Sequence, residues 1–152
     1  MYLYYNGYTI REGNEGISGD KLRPLYEAVE WISPQMPAWQ NEKFEFALKN
    51  SAWAFTVWHK EDLVGMVRVI SDKMMHASIQ DLIVLKEHRK KGIGRKLVEL
   101  CLQKMPHGNW SAQTTPDNYE FYKYCGFAIP NDSQSATLTY NGYFKARLDG
   151  HR

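Results

Sequence analysis

Residues Arg89-Lys90-Lys91-Gly92-Ile93-Gly94-Arg95 place four cations and two glycines within seven positions. The apolar run Leu82-Ile83-Val84-Leu85 leads into them, and Leu97, Leu100 and Cys101 follow at helical spacing. A strand, a basic glycine turn and a helix in that order can aim several backbone N–H groups at one point. Such a turn binds anions, phosphate above all, because free amides and the helix dipole favour negative charge together. Glycine lets the backbone approach a ligand with no Cβ in the way. Neither Gly-x-Gly-x-x-Gly nor Gly-x-x-x-x-Gly-Lys-Ser/Thr occurs in the chain. What remains is Arg-x-x-Gly-x-Gly, from Arg89 to Gly94. The competing reading is a solvated charge run in front of a surface helix.

The elements around this loop read as follows. Tyr8 to Glu12 forms an edge strand, after aromatic, β-prone residues at the N-terminus. Gly13, Gly16 and Gly19 mark a loop, and Ser18 or Asp20 caps a helix over Lys21 to Trp31, with Leu22, Leu25, Tyr26 and Val29 on one stripe. Ser33-Pro34-Gln35-Met36-Pro37 breaks it, and a second helix covers Trp39 to Lys49. Three strands form a meander: Ala52 to His59, Leu63 to Ser71 and His76 to Leu85. A helix over Ile93 to Lys104 stops at Pro106 and Gly108. A short strand spans Trp110 to Thr114. A short helix spans Asp117 to Tyr124, with Thr115 as cap and Pro116 in its first turn. Ala136 to Leu148 alternates like a closing strand, with Asn141-Gly142 as a bulge or turn. The order predicts a single α/β (α+β) domain over residues 1–152, a mixed sheet with helices on both faces.

Composition narrows the function classes. The chain has 152 residues, 43% hydrophobic and 14% aromatic, enough for one substantial core. Net charge is only +2, so the basic loop is local, which argues against general nucleic-acid binding. Two cysteines, Cys101 and Cys125, give no disulfide framework and read as small apolar residues. With no signal peptide in view, a reducing cytoplasm is the expected compartment. No apolar run reaches membrane-spanning length. The five histidines show no metal-ligand spacing, so no metal is expected.

Four segments together resemble the GNAT family of acyl-CoA-dependent N-acetyltransferases. Leu63-Val64-Gly65-Met66-Val67-Arg68-Val69-Ile70 is similar to the family's third strand, and Gln80 to Leu85 to its fourth. Arg89 to Gly94 matches its Gln/Arg-x-x-Gly-x-Gly/Ala loop, and Phe121-Tyr122-Lys123-Tyr124-Cys125-Gly126-Phe127 its Phe-Tyr-x-x-x-Gly-Phe segment. The resemblance runs over roughly residues 50 to 128 and implies a mostly antiparallel central sheet of six to seven strands, splayed after the fourth.

It also implies acetyl-CoA as co-substrate. Arg89, Lys90, Lys91, Gly92, Ile93, Gly94 and Arg95 would wrap the coenzyme A pyrophosphate. The main chain of Leu82, Ile83 and Val84 would pair with the pantetheine arm. Tyr122 matches the tyrosine that protonates the leaving sulfur, although packing against the core is an alternative for it. Asn118 matches a pantetheine-binding asparagine only loosely, since it lies four residues before Tyr122, and a helix-start role competes. Asp81 borders the acyl site in an apolar run, where a carboxylate is costly without a partner. It reads either as the proton acceptor or as a structural carboxylate bonded to backbone or to Arg68. The acceptor groove of the family falls on the segment with Trp31, Met36, Pro37, Trp39 and Phe44. Trp31 and Trp39 flank the proline loop as substrate contacts, and Phe44 reads as packing.

The expected function is acetyl transfer from acetyl-CoA to a primary amine of a small molecule or peptide, by direct attack in a ternary complex. The alternative is a GNAT-like domain that binds acyl-CoA without turnover. A nucleic-acid or anionic-surface binder using Arg89 to Lys91 is the third reading. The expected partners are the amine substrate, with no nucleic acid and no membrane, and a long C-terminal strand offers an edge for a homodimer.

Overall fold

The structure is a computed structural model, and residues 1–128 are described. The expected strand over residues 136–148, with its Asn141-Gly142 bulge or turn, lies outside the described residues. The elements in chain order are β1 (Tyr2–Tyr5), β2 (Tyr8–Glu12), α1 (Gly19–Ala28), α2 (Glu42–Lys49), β3 (Trp53–His59), β4 (Asp62–Ser71), β5 (His76–Val84), α3 (Ile93–Leu102), β6 (Asn109–Ala112) and α4 (Tyr119–Tyr124). Among the described residues the six strands form one sheet in sequence order, antiparallel except for the parallel pair β5–β6.

Helices cover both faces. On one, Leu97, Val98 and Cys101 of α3 pack with Ile10, Phe55, Val57, Val67, Val69 and Ile79. On the other, Leu22, Leu25 and Tyr26 of α1 and Phe44 and Leu48 of α2 pack with Ala54, Met66 and Ile83. This division follows the two-residue period of the strands: Phe55 and Val57 face α3 while Ala54 faces α1.

The first strand differs from expectation. Tyr8–Glu12 is not the edge; β1 is, paired antiparallel to β2. Asn6 and Gly7 join them with φ of 50° and 86°. Positive φ at both central residues is the turn that suits the twist of a two-residue hairpin, and Asn-Gly is its commonest sequence. Helix α1 begins as expected, with the Ser18 hydroxyl accepting from the Lys21 N–H. It ends three residues before Trp31. The second helix opens as a 3₁₀ turn, Ala38–Asn41, before α2. Thr115 makes no side-chain cap; a 3₁₀ turn, Pro116–Asn118, leads into α4 instead.

The end of α1 is built in detail. The Glu30 N–H donates to the Glu27 carbonyl at 3.0 Å, and the Trp31 N–H donates to the Tyr26 carbonyl at 3.1 Å. These two bonds are a Schellman closure, whose left-handed position normally holds glycine. Here it holds Glu30, at φ 60°. The Cβ of a non-glycine residue there costs on the order of 1 kcal/mol.

Strand β5 carries the feature that shapes the site. Arg68 pairs with Gln80 and Met66 with Ile83, so two steps on β4 oppose three on β5. The extra residue is a β-bulge, and Asp81 sits in it at φ 47°. Asp is among the few residues that tolerate this conformation. The bulge inverts the phase of the strand: Ile79 faces α3, whereas Ile83 faces α1 and α2. Gly65 permits the close approach of β4, since a Cβ there would lie 2.9 Å from the Ile83 carbonyl oxygen.

Candidate active site

The β5–β6 ladder ends at Ile79↔Ala112. Beyond it, the β6-side edge of Leu82–Val84 has no strand neighbour among the described residues. A cleft of about 960 Å³ opens there. Its walls come from the second half of β5, the loop and first turn of α3, the end of α1, and α4. The interruption leaves main-chain donors and acceptors of Leu82, Ile83 and Val84 available to a strand-like ligand. The Ile83 side chain itself is buried in the core under α1.

One end of the cleft is basic. Arg89, Lys90 and Arg95 line it together with Gly92, Ile93 and Gly94. Gly92 is the N-cap of α3 at φ 78°, and no side chain caps the helix. The first helical N–H donation runs from Lys96 to the Gly92 carbonyl. The amides of Ile93, Gly94 and Arg95 therefore precede the hydrogen-bond ladder, as in an anion site. A Cβ on Gly92 would meet the Tyr5 hydroxyl at 2.7 Å, and one on Gly94 would meet the Phe121 ring at 3.3 Å. Both glycines hold space that a side chain would fill.

The loop is anchored from behind. Asn6 Nδ2 donates to the Lys91 carbonyl at 3.1 Å, and Lys91 Nζ donates to the Tyr8 hydroxyl at 3.2 Å. That hydroxyl also lies 2.7 Å from His88 Nδ1. Lys91 is thus turned toward β2 and is not among the cleft-lining residues, unlike its two neighbours. Arg89 Nε donates to the Val84 carbonyl at 2.8 Å, tying the loop to the strand that feeds it. Arg95 lies over the Tyr124 ring at 4.2 Å.

Tyr122 lines the cleft and is only 9% exposed. Phe121 and Phe127 meet its ring edge-on, with centroids 5.1 and 5.4 Å away. Burial, and to a lesser degree Cys125 and Cys101 nearby, pushes its phenol up to about 12, so the hydroxyl stays protonated through neutral pH. Burial also pushes the Cys101 thiol up to about 12 and raises that of Cys125. Neither cysteine is a thiolate nucleophile near neutrality.

Asp81 also lines the cleft, with both its bonds on one oxygen. Arg68 Nε donates to Oδ2 at 2.5 Å, and the Tyr26 hydroxyl donates to the same atom at 2.8 Å. Burial first, and then the Asp81 carboxylate, raises the Tyr26 phenol above its ordinary range. Of the two sequence readings of Asp81, the partner Arg68 is the one the geometry displays. Asn118 lines the cleft from the turn before α4, its Nδ2 donating to Thr114 Oγ1 at 2.9 Å.

Of the two expected substrate tryptophans, Trp31 lines the cleft with its side chain 54% exposed. Trp39, in the 3₁₀ turn Ala38–Asn41, is 70% exposed and is not among the residues that line the cleft. Phe44 is stacked on Tyr26 at 4.4 Å within the core, as its packing role requires. Tyr5, His88, Gln113 and Thr114 line the cleft without having been singled out from the sequence. Of the helix carboxylates Glu27, Glu30, Glu42 and Glu45, which the sequence offers either as attractors of an ammonium group or as plain helix surface, Glu30 lines it too. Among the described residues no group of His, Cys, Asp or Glu could hold a metal ion, and no helix is long and apolar enough to cross a membrane.

Comparison with known proteins points the same way. The model described as the acetyltransferase (GNAT) family matches residues 21–127. A Pyropia yezoensis protein named "Uncharacterized N-acetyltransferase ycf52" is 28% identical over 134 residues, covering 84% of this chain and 74% of its own length. Its namesake from Gracilaria tenuistipitata is 22% identical over 147 residues, covering 92% and 74%. Among solved structures, a GNAT-family acetyltransferase of Streptococcus pneumoniae superposes with a TM-score of 0.74 at 26% identity, covering 88% of this chain and 96% of that one.

Proposed function

Because the chain belongs to the GNAT acetyltransferase family, we propose that it moves an acetyl group from acetyl-CoA to a primary amine by direct attack within a ternary complex. The observation that carries this is one cleft that joins three parts. It has an uncapped basic helix N-terminus, a strand edge freed by the end of the β5–β6 ladder, and a buried protonated phenol. The pyrophosphate would sit on the amides of Ile93, Gly94 and Arg95, with Arg89 and Lys90 neutralising its charge. The pantetheine arm would lie along Leu82–Val84. Asn118, which lines the same cleft, would meet its amides.

The chemistry needs little more. The neutral amine attacks the thioester carbonyl, a C–N bond forms, and a main-chain N–H on the bulged strand steadies the oxyanion. The C–S bond then breaks, and the sulfur takes the Tyr122 proton. The surplus ammonium proton leaves by water, and water returns a proton to the Tyr122 phenolate. Direct attack is favoured over an acyl-cysteine route because Cys101 and Cys125 are held as thiols. Trp31 walls the acceptor side. The unpaired thiols suit a reducing compartment such as the cytoplasm.

In this reading Asp81 positions the bulge and does not accept the amine proton. Asp81→Asn keeps the shape but leaves Arg68 without its carboxylate, and should lower stability by about 1–3 kcal/mol. Turnover should fall without a change in the shape of its pH profile. A fully stable variant that loses the acid limb of that profile would make Asp81 the base.

The primary test is release of free thiol from acetyl-CoA across a panel of amines, together with thermal melting in coenzyme A. Amine-dependent thiol release is the expected result. Stabilisation by coenzyme A with no release from any amine would instead make the chain an acyl-CoA-binding domain.

A further inference from the structure

The cleft is lined by two groups of opposite character, Arg89, Lys90 and Arg95 in one and Ala28, Val29, Glu30 and Trp31 in the other. The first is tied to Val84 through Arg89, and the second reaches Asp81 through Tyr26, so they border different stretches of β5. Three features of that second group favour positive charge. The first is the C-terminus of α1, a ten-residue helix with no basic residue in its last turn to offset the dipole. The second is the Glu30 carboxylate, exposed and free of any ion pair among the described residues. The other carboxylate lining the cleft, Asp81, is already spent on Arg68. The third is the Trp31 ring, 54% exposed and steadied by Tyr26 at 6.2 Å.

The backbone adds an independent sign. Glu30 occupies the left-handed closure of α1, where glycine would relieve strain. That φ aims the carboxylate's residue into the cleft wall at a cost to folding. A reacting amine must lose its proton before it attacks, so a standing carboxylate does not suit the nitrogen that is acetylated. It suits a positive charge that remains.

We propose that Glu30 and Trp31, with the C-terminus of α1, form a subsite for a second cationic group on the acceptor. The substrate class is then a small diamine or polyamine in which one nitrogen is acetylated and another is held as ammonium. This rests on the acetyltransferase reading above and specifies its acceptor.

The test compares putrescine with the amino alcohol in which one of its ammonium groups is replaced by hydroxyl, in acetyl-CoA thiol release. Wild-type protein, Glu30→Gln and Glu30→Gly are assayed side by side. The wild type should favour putrescine in kcat/KM, and both variants should cut that preference about tenfold. Glu30→Gly should melt at or above the wild-type temperature, because glycine fits the closure, so its loss of preference cannot come from misfolding. A preference that is absent in the wild type, or that survives both variants, overturns the subsite and leaves the transferase reading standing. If other amines of the panel release thiol and neither of these two does, the subsite is overturned and the transferase reading stands. If no amine of the panel releases thiol, the transferase reading falls, and calorimetric titration of putrescine into the coenzyme A-loaded protein decides the subsite. Binding lost in Glu30→Gln then supports it, and binding that is absent or indifferent to Glu30 overturns it.

Discussion

Tyr122→Phe should lower kcat on the order of a hundredfold while leaving the KM for acetyl-CoA nearly unchanged. The substitution removes one oxygen from a ring that Phe121 and Phe127 hold in place, so packing is preserved. A general acid contributes about 10²–10⁴-fold. The lower end applies here because a thiolate is a tolerable leaving group even without its proton. The pH profile adds a second check. Burial keeps this phenol protonated up to about 12. Rising pH therefore does not remove the acid through the range where an exposed tyrosine would ionise, near about 10. The ratio of wild-type to variant kcat should accordingly stay constant from about pH 7 to about pH 10. Unchanged kcat would take Tyr122 out of the mechanism. A kcat intact but with a weakened acetyl-CoA KM would make it a wall of the cleft only.

Gly92→Val should do the reverse, raising the KM and Kd for acetyl-CoA by about a hundredfold with a much smaller effect on kcat at saturation. Valine cannot hold φ 78° without strain, and its Cβ would fall 2.7 Å from the Tyr5 hydroxyl. The tyrosine tip can swing away, but the backbone cannot keep its angle, so the amides that begin α3 are re-aimed. Losing one or two charge-assisted amide–phosphate bonds is worth about 2–3 kcal/mol, which corresponds to that hundredfold. The protein should remain folded, because Gly92 is exposed and packs in neither core. Retained acetyl-CoA affinity in a folded Gly92→Val protein would mean that the pyrophosphate binds elsewhere. The two variants together separate donor binding from proton transfer, since each should move the parameter that the other spares.

The basic glycine loop, the proposed phosphate site, was readable because such chemistry depends on local sequence. Gly92 and Gly94 must be glycine for reasons of φ and space, and a helix N-terminus is announced by the residues that follow it. The Phe121–Phe127 segment was readable for the same reason, since Phe121, Tyr122 and Phe127 pack against one another within a single turn and its exit. The β1 edge strand was missed although Asn6-Gly7 is a strong hairpin signal, because tyrosines at four of the first eight positions obscure the apolar alternation. Trp39 was read as part of an α-helix and lies in a 3₁₀ turn, outside the cleft lining.

Local patterns in the chain thus determined the strands and helices from β2 onward and the basic glycine turn, since each depends on neighbours within a few residues, and the match to the family's Phe-Tyr-x-x-x-Gly-Phe segment singled out Tyr122. Tertiary structure decided the rest. The bulge at Asp81 exists because Arg68, 13 positions earlier, and Tyr26, 55 positions earlier, converge on one carboxylate oxygen. The cleft exists because the β5–β6 ladder stops at Ile79↔Ala112. Glu30 and Trp31 belong to it because the Schellman closure of α1 turns them toward a strand some fifty residues away. Such arrangements depend on distances between segments far apart in the chain, and no short-range pattern encodes those distances. The basic glycine loop therefore marked the proposed donor end from sequence and the proline-loop tryptophans the proposed acceptor side, whereas which of those tryptophans lines the cleft was decided only once the elements were packed.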